Sequence, residues 1–220
     1  MTGAGASRLV ALELPGPAGP LEALLEECEG GAPAFAALVC HPHPLYGGTM
    51  HNKVVHRVAA GLCDRGGAAL RFNFRGVGKS AGRFDQGRGE LEDARAALAW
   101  LRSRFPGLPV WLAGFSFGAW VVARLAGSEP DLEGLVLVAP PVVDLDFGAM
   151  RSSPIPKLVL QGSRDEICPV AALEPEFAGW AEPKGIVKVD GATHFFDRQL
   201  EGLSKALLQG LSLLQRGRGL

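Results

Sequence analysis

A short apolar run, Val110–Ala113, leads into Gly114-Phe115-Ser116-Phe117-Gly118, and a helix-like run, Ala119–Leu125, follows at once. A strand that turns sharply into a helix is the setting in which G-x-S-x-G forms a nucleophile elbow. The serine then sits in a strained turn, with its hydroxyl projecting above the sheet. The two glycines keep Cβ atoms out of the crowded crossing of strand and helix. A plain glycine-rich turn could carry the same five residues, so the rest of the chain must decide.

The rest alternates between two patterns. Apolar strand candidates are Leu9–Leu14, Leu21–Glu26, Phe35–Cys40, Ala68–Phe72, Val110–Ala113, Leu135–Val138, Leu158–Leu160 and Ile186–Val189. Pro15-Gly-Pro-Ala-Gly-Pro20 between the first two is a strong turn signal and makes them an antiparallel pair. Helical spacing appears over Asn52–Arg65, at Leu91, Ala94, Leu98, Leu101 and Phe105, and at Leu200, Leu203, Leu207, Leu211 and Leu214. The tail Arg216-Gly-Arg-Gly-Leu220 is expected to fray. Continuous apolar strands alternating with amphipathic helices predict an α/β chain: a mostly parallel eight-stranded sheet with helices on both faces and the antiparallel pair at one edge. The 220 residues fit one domain, 1–220, with no linker or repeat to divide them.

Several function classes drop out. A net charge of -1 gives no basic surface for nucleic acid or an anionic membrane. No apolar run approaches a membrane span, and Met1–Arg8 lacks the pattern of a signal peptide. Cys28, Cys40, Cys63 and Cys168 show neither C-x-x-C spacing nor pairing, so they read as reduced thiols of a cytoplasmic protein. Gly78-Lys79-Ser80 resembles part of a phosphate loop, but the glycine required five residues before Gly78 is Asn73. That segment reads instead as a structural turn in which Asn73 and Arg75 tie neighbouring loops together.

In a parallel α/β sheet the site lies beyond the carboxyl ends of the strands, and the remaining polar candidates fall there. Only His194 of the five histidines follows Ser116, which fits the chain order nucleophile, acid, base. Between them, Asp165 follows the strand Leu158–Leu160 directly, with Asp144 the second candidate and Asp190 the third. The loop His41-Pro-His-Pro-Leu-Tyr-Gly-Gly-Thr-Met50 follows the third strand. It is placed to supply one backbone N–H of an oxyanion hole, the other coming from Phe117. Pro42 and Pro44 have no N–H, leaving His43, Leu45 or Tyr46, of which Leu45 is favoured. His41 and His43 have no acidic or cysteine ligand to complete a metal set, so they are expected to orient the loop by bonds to backbone.

These residues carry a resemblance. The chain resembles an α/β-hydrolase over nearly its whole length. More closely it resembles a small bacterial group, related to dienelactone-hydrolase-like and carboxylesterase-like proteins. That likeness rests on His41-Pro-His-Pro44, Gly47-Gly-Thr-Met50, Asn52-Lys53, Phe72-Asn-Phe-Arg-Gly-Val-Gly-Lys-Ser80 and the elbow. Dienelactone hydrolases use a cysteine nucleophile, and position 116 is serine, so a dienelactone substrate is not implied. The resemblance implies an α/β-hydrolase fold and two-step acyl transfer without a cofactor or metal.

Cap domains in this fold usually follow the sixth strand, where only Ala139–Pro156 is available, enough for a loop or one short helix. A minimal or absent cap gives an open site. Leu45, Tyr46, Phe115, Phe117, Phe147, Met150, Ile167 and Phe195 are its expected wall, suited to a small ester or thioester. A non-catalytic binding protein of the same fold and an amide- or peptide-cleaving enzyme are the competing readings. The edge strand and the apolar last helix each offer a homodimer surface.

Overall fold

The computed structural model describes residues 7–28, 31–129 and 131–216; the expectations for the first six residues and for the tail beyond Arg216 lie outside them. Eight strands form one sheet: β1 (Ser7–Gly16), β2 (Gly19–Cys28), β3 (Phe35–Cys40), β4 (Gly67–Phe72), β5 (Val110–Phe115), β6 (Leu132–Val138), β7 (Lys157–Gly162) and β8 (Lys184–Val189). Their spatial order is β1-β2-β4-β3-β5-β6-β7-β8. The pairs β1–β2 and β2–β4 are antiparallel, and every other pair is parallel. From β3 the chain moves outward to β4 and then crosses back to β5, which places a switch point between β3 and β5. Their carboxyl ends therefore open the crevice where a doubly covered sheet binds ligands.

Side chains on β3 show why its run is uniformly apolar. Ala36, Leu38 and Cys40 enter one core, while Ala37 and Val39 enter the other. The first core lies under α2 (Arg88–Arg104) and α3 (Phe117–Ala126), and the second under α1 (Lys53–Cys63) and α5 (Leu200–Arg216). Asn52 caps α1 by accepting the Val54 N–H at 2.9 Å. The stripe Leu203, Leu207, Leu211 and Leu214 on α5 is buried against the sheet, so it is not the dimer surface considered from sequence.

The helix α4 (Val170–Ala178) was not legible in the sequence. It contains Pro175, and of its residues only Leu173 is buried, so it has no apolar stripe to read. Between β6 and β7 the chain forms only a 3-10 turn at Gly148–Arg151, and no cap covers the sheet among the described residues.

Asn73 ties the strand ends as expected, whereas Arg75 is bonded not to a neighbouring loop but to a helix. Asn73 accepts the Met50 N–H at 2.8 Å and donates to Glu22 at 2.8 Å, joining the loop after β3 to β2. The Arg75 guanidinium forks onto Asp93 of α2 at 3.0 and 2.8 Å, and Asp93 is fully buried. Removing one partner of such a pair leaves an uncompensated buried charge. Arg75→Met should therefore cost about 3–5 kcal/mol, measured by urea unfolding, and adding Asp93→Leu should recover a large part of the loss.

Candidate active site

β5 ends at Phe115 and α3 begins at Phe117, so Ser116 alone makes the turn, at φ 53° and ψ −119°. For a residue with a Cβ this conformation is costly, and the surroundings hold it. The Ser116 N–H donates to Val138 O at 2.9 Å, and its carbonyl accepts the Ala119 N–H at 2.8 Å. Both glycines of the elbow are required by contact. A Cβ on Gly114 would lie 2.2 Å from Gly118 O, and one on Gly118 would lie 2.3 Å from Cys40 O.

The loop after β8 brings His194 to this turn. Its Nε2 is 3.1 Å from Ser116 Oγ, and its Nδ1 is 2.9 Å from Asp165 Oδ2. The aspartate can only accept, so Nδ1 carries the proton and Nε2 is free to accept the serine hydroxyl. Asp165 Oδ1 takes the backbone N–H groups of Ile167 (2.9 Å) and Cys168 (2.7 Å). Gln161, at the end of β7, adds a side-chain N–H to Oδ2 at 3.0 Å. Sequence reasoning passed over Gln161, although a glutamine inside an apolar strand run was a signal. The other two acid candidates lie elsewhere: Asp144 is exposed, and Asp190 accepts from Ser163 Oγ at 3.2 Å. Phe115 is buried beneath the imidazole, with ring centroids 5.1 Å apart, and so supports His194 from the core side.

In the loop after β3, the expectation that Leu45 supplies an oxyanion donor is overturned. Its N–H is spent on His43 Nδ1 at 3.2 Å, and the Tyr46 N–H on His43 O at 3.1 Å. Of the three candidates His43 alone keeps a backbone N–H with no partner among the described residues. The Phe117 N–H is likewise unpartnered. The His43 and Phe117 rings lie 5.0 Å apart. The imidazole that diverts Leu45 was visible in the sequence, but its rotamer was not.

His41 orients the loop as expected. Its Nδ1 lies 2.6 Å from Pro42 O, and its Nε2 accepts the Phe74 N–H at 3.0 Å. An acceptor on Nε2 fixes the neutral ring with its proton on Nδ1. Complete burial pushes its pKa from the usual 6.5 down to about 4.

The expected wall divides in two. Tyr46 is 87% exposed, and Leu45, Ile167 and Phe195 are exposed too. Phe147 and Met150 are buried instead, Phe147 stacked on Trp180 at 5.7 Å, so neither meets a ligand in this conformation. Phe117 is buried too, between His43, Phe74 and Trp120. Val143, in the loop after β6, joins the exposed apolar set and was missed. Its place just beyond a strand end was the available clue.

Among the described residues, Asp165, Cys168 and His194 hold donor atoms within 4.8 Å of one another, a spacing that could hold a cation. Two of the three are already bonded to each other. Burial pushes the Cys168 thiol up, away from the thiolate a metal takes. The set is better suited to holding an imidazole than a metal.

A sheet covered on both faces, an elbow and a serine, histidine and aspartate at three strand ends define an α/β serine hydrolase without a lid. Comparison with known proteins agrees: the chain belongs to the α/β-hydrolase superfamily, and its residues 36–151 match the family described as serine aminopeptidase, S33. An α/β serine hydrolase homologue from Coxiella burnetii is 40% identical, with a TM-score of 0.88 over 92% of this chain and 97% of that one. An α/β serine hydrolase without lid from Xanthomonas campestris is also 40% identical, with a TM-score of 0.86 over 93% and 94% of the two chains. An uncharacterized protein of Rickettsia prowazekii (strain Madrid E) is 41% identical over 188 residues, 81% of this chain and 79% of its own length. No helix among the described residues is long and apolar enough to cross a membrane.

The buried neutral His41 makes a pH prediction. Its folded pKa of about 4 lies below the unfolded 6.5, so between these values the unfolded chain binds more protons. Stability from this group is therefore intact above pH 6.5 and falls as pH drops toward 4, by up to about 3 kcal/mol. Thermal unfolding between pH 7 and 4 should show the decline, and His41→Asn should flatten part of it.

Proposed function

We propose that this chain hydrolyses small carboxylic esters or thioesters through an acyl-enzyme, with Ser116 as nucleophile, His194 as general base and acid, and Asp165 as the carboxylate that orients the imidazole. The observation that carries the reading is the continuous hydrogen-bonded path from Ser116 Oγ to His194 at 3.1 Å and on to Asp165 at 2.9 Å. In the first step a lone pair of Ser116 Oγ attacks the acyl carbon while Nε2 takes the hydroxyl proton. The carbonyl π electrons move onto oxygen, which the N–H groups of Phe117 and His43 receive. Collapse of this tetrahedral species re-forms the carbonyl and expels the alcohol or thiol, which takes the proton from Nε2. Water then repeats the sequence on the acyl-serine and releases the acid. Asp165 holds the imidazole in one orientation throughout and stabilises the imidazolium.

The exposed apolar side chains of Leu45, Tyr46, Val143, Ile167 and Phe195 support an apolar acyl group of short or medium length, lying in a shallow site rather than a tunnel. Peptide cleavage is the second reading, and the description of the matched family favours it. Against it, no cap or added domain frames a peptide among the described residues. A non-catalytic role is disfavoured because no member of the constellation is missing.

A fluorophosphonate should label the folded protein, and Ser116→Ala should abolish the labelling; absence of labelling on the native chain would point to a binding protein. Asp165→Asn should lower kcat by about 10⁴ with the fold retained, while Asp144→Asn should stay within about twofold of the parent, because Asp144 is exposed and both ring nitrogens of His194 are already bonded to Asp165 and Ser116. With p-nitrophenyl esters, activity should peak at short or medium chains; a steady rise to palmitate would contradict the shallow site. Aminoacyl p-nitroanilides turned over faster than the matching esters would favour the peptidase reading.

A further inference from the structure

Gln161 is fully buried at the last turn of β7, one residue before Gly162. Its Nε2 makes two hydrogen bonds, to Asp165 Oδ2 at 3.0 Å and to Cys168 O at 2.7 Å. Its Oε1 is buried with no hydrogen-bond partner among the described residues. The orientation of the amide follows from its neighbours. Both groups within reach of Nε2 are acceptors, so a flipped amide would set its own oxygen against a carboxylate and a carbonyl. An unpaired buried carbonyl is itself costly. A leucine or methionine of similar volume would fill the space without that cost, so packing does not account for a glutamine here.

Its two N–H bonds act together on one short segment. The turn from Asp165 to Cys168 is already closed from within, by the N–H groups of Ile167 and Cys168 on Asp165 Oδ1. That leaves Oδ2, the oxygen that faces His194, without backbone support. Gln161 supplies the missing donor and, through Cys168 O, holds the far end of the same turn to the rigid strand. With all four contacts in place both carboxylate oxygens are fixed, and rotation about the Cβ–Cγ bond is blocked.

We infer that Gln161 is the positioning residue of this site: its amide fixes Asp165 Oδ2 toward His194 Nδ1, and turnover depends on it although it touches no substrate. The inference rests on the proposed triad and adds a residue outside it. A group of this kind acts in both acylation and deacylation, because the imidazole must be held in one tautomer and one orientation for each proton transfer. Substrate binding is left alone, so the effect belongs in kcat and not in KM.

The test uses Gln161→Leu and Gln161→Met, both close in volume and without donors, alongside Asp165→Asn and the parent protein on one ester substrate. A structural control is Leu173→Ala, a buried change in α4 away from these bonds. For the two Gln161 variants we expect kcat to fall at least about tenfold, with KM within about twofold. The low-field proton NMR signal of His194 Nδ1–H should move or broaden. The melting temperature should hold or rise, because the unpaired carbonyl is gone. Leu173→Ala should lower the melting temperature and leave that proton signal in place. An unchanged kcat in both Gln161 variants, or an unmoved Nδ1–H signal, overturns the inference. If Asp165→Asn keeps full activity, the triad reading itself fails; if it is inactive while the Gln161 variants work normally, only the role of Gln161 is lost.

Discussion

The Ser116 N–H bond to Val138 O carries the β5–β6 pairing one residue beyond the point where β5 stops being a strand. That bond fixes Ser116 in a conformation it would not adopt alone. The rest of the sheet is arranged so that the bond can form. β5 must lie between β3 and β6, and its helix must leave at once across the end of β3. The contact between Gly118 and Cys40 O leaves no space for a side chain there. Strain at one residue is thus maintained by packing spread over three strands.

Asp165 and His194 are held by a different device. Neither Asp165 nor His194 lies on a regular element. Each follows a strand, in a loop that backbone hydrogen bonds make rigid. The Arg164 N–H bond to Ala192 O at 2.9 Å fastens one loop to the other. Asp165 is buried and surrounded by donors: two backbone N–H groups, one amide and the imidazole. The serine side, by contrast, has no cap over it among the described residues.

Much of this was legible in the chain. All eight strands show apolar runs: inner strands such as β3 and β5 are buried on both faces and so apolar throughout, while β1, β2 and β8 are only partly buried and carry charges between their apolar residues. Ser116, Asp165 and His194 follow from chain order, because each lies just beyond such a run. The illegible parts share a cause: they depend on where a side chain points. Leu45 lost its oxyanion role to a bond with the imidazole two residues away. Phe147 and Met150 sit in a loop, where the period that separates inside from outside does not exist, so their burial could not be read. Helix α4 escaped because one buried leucine and an internal proline make no pattern. Gln161 was overlooked because a polar residue in a strand gives no hint of its partner.

In the proposed reaction the acyl group passes covalently through Ser116. The direct measurement is to quench a p-nitrophenyl ester reaction in acid within the first turnover, digest the protein and locate the added acyl mass by peptide mass spectrometry. The adduct is expected on Ser116, to disappear with Ser116→Ala and to persist with His194→Ala when that variant is loaded with an activated ester. An adduct on Cys168 or on a lysine, or product release with no acyl-protein at any time, would contradict it.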